Sequence, residues 1–217
     1  VVVALRERAW NIGAEGQFCA GALAATAVAL FVPGPALVLV PLMFIAGALG
    51  GMVWILIPTL ARAYADVSEL ITTLLLNFVG MLLIYYVATG PWLDPSGLAF
   101  AATKRLAPEV PKIWGDIHWG LPVAVVLTLL VAGAMNFTRW GYEVRIVGSN
   151  PQAARYAAIP ARRHLIVVML ASGAIAGLAG MFEVVGTTHR LQGGISNNFG
   201  YIGIMVAVLS RGSALGV

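Results

Sequence analysis

The chain alternates long apolar runs with short polar ones. No charged residue occurs in 16–61, 70–93, 119–138, 165–182 or 191–210. A helix needs about 20 apolar residues to cross a bilayer, so each run holds one crossing and the first holds two. The pattern predicts an all-α, polytopic transmembrane helical bundle with spans at 16–32, 36–61, 68–88, 120–138, 164–186 and 199–217, and with VVVAL at the start as the tail of an earlier one. Pro33-Gly34-Pro35 divides the first two spans. Proline donates no backbone hydrogen bond and glycine permits a sharp reversal, which makes a tight helical hairpin. Pro41 and Pro58 fall inside the second span, where they kink the helix or mark its ends.

Composition agrees: of 217 residues, 60% are hydrophobic and 10% charged, against roughly 25% charge in soluble domains. Mean hydropathy is +0.90. The net charge of +4 does not point to nucleic acid, because the basic residues flank the spans instead of forming a patch with aromatics. They serve as orientation signals. The 139–163 connection carries Arg139, Arg145, Arg155, Arg162 and Arg163 and is placed in the cytoplasm. Counting crossings back puts the 89–119 loop, with Trp92 and Ile113, outside; its Lys104, Arg105 and Lys112 run against the rule but sit among Asp94, Glu109 and Asp116. The one cysteine, Cys19, excludes an intrachain disulfide and reads as a small packed residue. VVVAL is too short for a signal core, and SRGSALGV stops without a polar tail. Both ends read as cuts within a longer protein, leaving 1–217 as one partial transmembrane domain.

Between two spans lies GSNPQAARYAAIPARRH, 148–164. Asn150-Pro151 is an N-cap and first-turn pair, since proline there has no hydrogen bond to lose. Good helix formers follow to Ala158, and Ile159-Pro160 ends the helix after roughly 12 Å at 1.5 Å per residue. It is too short to span and too polar to bury. Two readings stand: an ordinary interfacial turn, or a docking element for a soluble partner, with Ala153, Ala154 and Tyr156 packing and Arg155 pairing with acids.

GYEVRIVGSNPQAARYAAIP (141–160) resembles the cytoplasmic coupling loop of permease subunits from bacterial ABC importers for simple sugars and nucleosides, within the branched-chain amino acid and ribose-type permease superfamily. NIGAEGQ (11–17) resembles a second hallmark, of the nucleoside and basic-membrane-protein-linked branch. SGAIAGLAGMFEVVG (172–186) and GYIGIMVAVLSRGSALG (200–216) resemble later segments in the same order. The likeness covers nearly the whole chain. It implies a parent of eight to ten spans in the bacterial plasma (inner) membrane that moves a nucleoside or simple sugar inward by alternating access. Implied partners are cytoplasmic ABC ATPase subunits, which use the ATP, a second permease subunit (identical or homologous), and an extracytoplasmic substrate-binding protein. The coupling helix would be 148–159, with Gly148, Asn150, Ala153, Ala154, Arg155 and Tyr156. The chain departs from the pattern at Ala158, where a glycine would close that helix, at Ser210 and Ala214, where glycine and proline are expected, and at Glu7-Arg8 in a normally apolar stretch.

NIGAEGQ also has its own logic. Gly13 and Gly16 allow a break, and Asn11, Glu15 and Gln17 bring hydrogen-bonding groups to an apolar helix, as in the broken helices that line transport sites. The alternative is a helix start at the membrane surface with Glu15 at its favoured end. Asn77, polar at mid-span, suits a helix–helix hydrogen bond or substrate contact. Glu183 faces a cavity, a partner or the interface. Gly173, Gly177 and Gly180 make a face small enough for close helix packing. Phe78 and Tyr85 either stack on a base or pack in the ordinary way. Lys104 and Lys112 follow Thr and Pro, so a Walker A loop is excluded; His118, His164 and His189 are scattered, with no HExxH and no GxSxG. A permease without its own ATPase, cofactor or metal site is the reading, with a stand-alone carrier or channel as the rival and an intramembrane enzyme behind it.

Overall fold

The computed structural model describes residues 1–7, 9–96, 101–115 and 117–210. Five of the described helices are long and apolar enough to cross a membrane. They are α2 (Ala14–Phe31), α3 (Ala36–Ala65), α4 (Glu69–Thr89), α5 (Gly120–Phe137) and α8 (Ala161–Phe182), the last continued by a π-helical turn, Glu183–Thr188. Shorter helices are α1 (Val2–Arg6), α6 (Arg139–Ser149), α7 (Pro151–Tyr156) and α9 (Phe199–Leu209). Strands β1 (Lys112–Trp114) and β2 (Ile117–His118) pair antiparallel. The expected sixth span begins on schedule as α9, of 11 described residues. Ala214 and Arg8 lie outside the described residues.

The Pro33-Gly34-Pro35 reversal joins α2 to α3. Neither Pro41 nor Pro58 marks a helix end, because α3 runs through both for 30 residues, about 45 Å at 1.5 Å per residue. Its buried positions Leu39, Met43, Gly47, Gly51, Ile55 and Thr59 recur every fourth residue, while Ile45, Leu49, Val53 and Ile57 are exposed along another face. The exposed stripe is the surface expected against lipid or a further helix.

α2, α3 and α8 pack most closely, and glycine makes this possible. A Cβ on Gly21 would collide with the Gly177 backbone, one on Gly51 with the Gly173 carbonyl, and one on Gly180 with the Phe18 carbonyl. Gly173, Gly177 and Gly180 therefore sit where backbone meets backbone, a geometry that adds dispersion contacts where no hydrophobic drive separates helix from lipid. Phe18, Ala22, Ala25, Met43, Met181 and Val184 fill the core on the hairpin side of this crossing.

That core is capped by residues 102–110 of the connection between α4 and α5. Thr103 N donates to Leu191 O and Leu191 N to Thr103 Oγ1, both at 3.0 Å, while Leu106 N donates to His189 O at 2.9 Å. Leu106 and Val110 are buried. At the other end α5 turns into α6, where the Thr138 side chain accepts from Gly141 N. Val144 of α6 packs against Val3, Ala4, Val168 and Met169.

Candidate functional site

Two interruptions of the chain meet at mid-depth. Residues 9–13 are non-helical, and α2 starts only at Ala14. Between the π-helical turn and α9 the chain runs irregularly through 189–198, with left-handed backbone at His189, Gly194, Asn197 and Asn198. Asn11 bonds to Ser172, which lies 11 residues along α8, about 16 Å from its start. Gly16 bonds to Asn77, near the middle of α4. Irregular backbone at this depth must be satisfied by protein or a water-lined cavity.

Asn11, Gln17 and Ser172 form one closed group. Asn11 Nδ2 donates to Gln17 Oε1 (2.9 Å) and Ser172 Oγ (2.8 Å), Gln17 Nε2 donates to Asn11 Oδ1 (2.7 Å), and Gly13 N also donates to Asn11 Oδ1 (3.1 Å). All are buried. Asn77 fixes the same turn from the other side: its Oδ1 accepts from Gly16 N at 2.8 Å, and its Nδ2 donates to Ile12 O at 2.9 Å and Tyr201 Oη at 3.2 Å. Three of the sequence-nominated residues thus make hydrogen bonds around the start of α2. Ser172 and Tyr201 complete these bonds and carry no local sequence signal.

Glu15 is placed differently. It is 1% exposed, and its Oε2 accepts from Gly200 N in the first turn of α9 at 2.8 Å. The positive end of the α9 dipole favours a carboxylate there. Glu15 Oε1 is buried and has no hydrogen-bond partner among the described residues. Glu183 lies 11 residues beyond Ser172, begins the π-helical turn and is half-buried. Phe78 and Tyr85 are exposed on α4.

The α6–α7 elbow stands at the opposite end from the Pro-Gly-Pro hairpin. Asn150 takes extended backbone, and its Oδ1 accepts from Gln152 N (3.1 Å) and Ala153 N (3.0 Å), the N-cap that its sequence predicts. Pro151 occupies the first turn. Ala157 ends the helix and Ala158 adopts φ +54°, a left-handed conformation at the position where the resemblance leads one to expect glycine. Arg155 is exposed and Tyr156 is 94% exposed. Ala154 corrects the expectation of outward packing, since it is fully buried and its carbonyl accepts from Ile159 N; it anchors the short helix to its own chain. Gly148 lies against α1, where a Cβ would sit 2.9 Å from Glu7 Cα and collide with the Arg6 carbonyl. Glu143 ties α6 to α8 through His164 Nε2 (3.0 Å) and accepts from Arg139 at 3.0 Å.

Residues 2–217 match the family model for the permease component of branched-chain amino acid transport systems. The chain is 39% identical to the glucose ABC transporter permease protein TsgB13 of Haloferax volcanii, over all of this chain and 60% of that protein. It is 33% identical to the guanosine ABC transporter permease protein NupP of Bacillus subtilis, over all of this chain and 64% of that protein. Identity to the nucleoside ABC transporter permease protein NupB of Lactococcus lactis is 30%, over 99% of this chain and 63% of that protein. The chain therefore spans less than two thirds of the length of these relatives. No solved structure shows a significant match.

Proposed function

The chain belongs to the permease family of branched-chain amino acid transport systems, and from that premise we propose that it is the membrane-spanning subunit of an ABC importer moving a nucleoside or simple sugar into the cell by alternating access. The relatives named above, a glucose, a guanosine and a nucleoside permease, support that substrate class. The subunit is a multi-pass plasma-membrane protein and a transport component, not an enzyme. Cytoplasmic ATPase subunits bind and hydrolyse ATP, a second permease subunit completes the pathway, and an extracytoplasmic protein delivers substrate.

The observation that carries this reading is the α6–α7 elbow. A six-residue helix with a satisfied N-cap, a buried Ala154 foot and a projecting Arg155-Tyr156 edge is a rigid lever, and it fits a groove on a soluble partner. Its base at Gly148 touches Glu7, four residues before Asn11 and the broken start of α2. Movement of α7 would then reach mid-depth through a short, packed path. In this scheme Gly148, Asn150, Ala153, Ala154, Arg155 and Tyr156 couple. Asn11, Gln17 and Asn77 hold the break, Glu15 faces the pathway, and Glu183 lies toward its outer mouth.

Arg155→Glu and Tyr156→Ala test the lever. With the ATPase and binding protein reconstituted in liposomes, each variant should lose uptake by about tenfold or more while the permease stays folded, because a charge is reversed or an anchor removed at a docking surface. Normal uptake and normal substrate-stimulated ATP hydrolysis in both variants would leave α7 an interfacial turn. Uptake by the purified permease with no ATPase present would instead support a stand-alone carrier.

A further inference from the structure

Beside the broken start of α2 lies a cavity of about 230 Å³ lined by Glu15, Cys19, Met81, Ile84 and the 194–198 turn. Two of the residues that line it carry a buried polar atom with no hydrogen-bond partner among the described residues, Glu15 Oε1 and Ser196 Oγ. Glu15 is 1% and Ser196 5% exposed. Buried polar groups without partners are costly, so a pair of them on one cavity marks a place where a donor-bearing guest is favoured. Ile195 and Ser196 are held inward by the turn that starts α9, with left-handed backbone at Gly194, Asn197 and Asn198; asparagine and glycine take that conformation most readily.

We propose that this cavity is the permease's own recognition site for a sugar ring, with one ring hydroxyl donating to Glu15 Oε1 and a neighbouring one bonding to Ser196 Oγ. The inference rests on the importer reading above and adds the group that is read. The chemistry is that of a neutral polyol. Glu15 accepts, Ser196 donates or accepts, and Met81, Ile84 and Cys19 offer an apolar wall for the C–H face of a ring. A zwitterionic amino acid fits less well, since no basic side chain lines the cavity and its carboxylate would face a second carboxylate. The volume lies below the roughly 300–1,000 Å³ usual for drug-sized ligands. One ring is accommodated, and a base attached to it would project past the exposed Asn197 and Asn198. The ring belongs either to a free sugar or to the ribosyl half of a nucleoside.

The test is initial uptake by the complete importer in liposomes, comparing wild type, Ser196→Ala and Glu15→Gln with the same binding protein. Ribose, glucose and guanosine are each measured against analogues that lack one hydroxyl at a time. Ser196→Ala removes a partner, and Glu15→Gln, with its amide oxygen kept by Gly200 N, replaces an acceptor by a donor; each change bears only on the ligand that carries the matching hydroxyl, so preference over the deoxy analogue should fall about threefold to tenfold in each variant. The ligand that shows this loss identifies its source as free sugar or nucleoside. Unchanged preferences at every position in both variants, with uptake of all analogues kept or lowered together, would assign Glu15 and Ser196 to architecture and overturn the site. So would uptake confined to a branched-chain amino acid and lost in Glu15→Gln. A wild-type importer that moves neither sugars nor nucleosides would refute the proposed substrate class itself, and the site falls with it.

Discussion

Asn77 and Gly16 stand 61 residues apart in sequence, yet the Gly16 N–H donates to Asn77 Oδ1 at 2.8 Å. The bond replaces an intrahelical partner that the first turn of α2 lacks. Asn77→Leu would strand a buried Gly16 N and a part-buried Ile12 O and should lower stability by about 1–3 kcal/mol. Thermal unfolding in detergent reads this directly. Undiminished stability with uptake abolished would make Asn77 a substrate contact instead of a strut.

Gly177 and Gly133 provide a paired comparison. A Cβ at Gly177 would lie 2.9 Å from Gly51 N and collide with the Gly47 carbonyl, whereas one at Gly133 in α5 meets nothing within 4 Å. Gly177→Ala should therefore cost about 1–3 kcal/mol through forced separation of α3 and α8. Gly133→Ala should be neutral or stabilise by up to about 1 kcal/mol, since alanine suits a helix interior better. Equal melting temperatures for the two variants would contradict the close approach.

Ala158 holds a left-handed backbone, φ +54°, which costs an L-residue roughly 1–2 kcal/mol. Glycine removes the steric part and adds chain entropy to the unfolded state, so Ala158→Gly should stabilise by about 0.5–1 kcal/mol. A destabilised variant in the same unfolding assay would show that the bend is not strained.

Burial pushes the Glu7 carboxyl from 4.5 up to about 8. The folded protein keeps this proton while the unfolded chain gives it up. The stability contribution is thus fully present below about pH 4.5 and is lost as pH rises toward about 8. Melting temperature should decline across that window and Glu7→Gln should flatten the slope. An identical slope in the variant would assign the pH response to other groups.

Much of this is legible in the sequence because a bilayer simplifies the code. Charge-free runs locate α2, α3, α4, α5 and α8, and Asn150-Pro151 announces a cap formed by its own neighbours. α6 goes unrecognised because Arg139, Glu143 and Arg145 mask the helical spacing of Trp140, Val144 and Val147. The division among the nominated polar residues is not readable in the sequence. Whether Asn11 is satisfied depends on Ser172, 161 residues away, and whether Glu15 is depends on Gly200, 185 away. Ser196 looks like any turn serine until the fold turns it inward. The π-helical turn after α8 has no periodic signature at all.

The bond between Thr103 and Leu191 closes the cap across 88 residues, and that interval sets a schedule for biogenesis. At ribosomal speeds of about 5–20 residues per second, the first partner waits roughly 4–18 s for the second to be made. Leu106 and Val110 are buried in the finished fold in one core with Leu191 and Ile195, so until then they lack part of their cover. The newborn permease passes through a stage with its spans inserted and its lid unsealed, when a holding chaperone or a membrane protease would find it most easily.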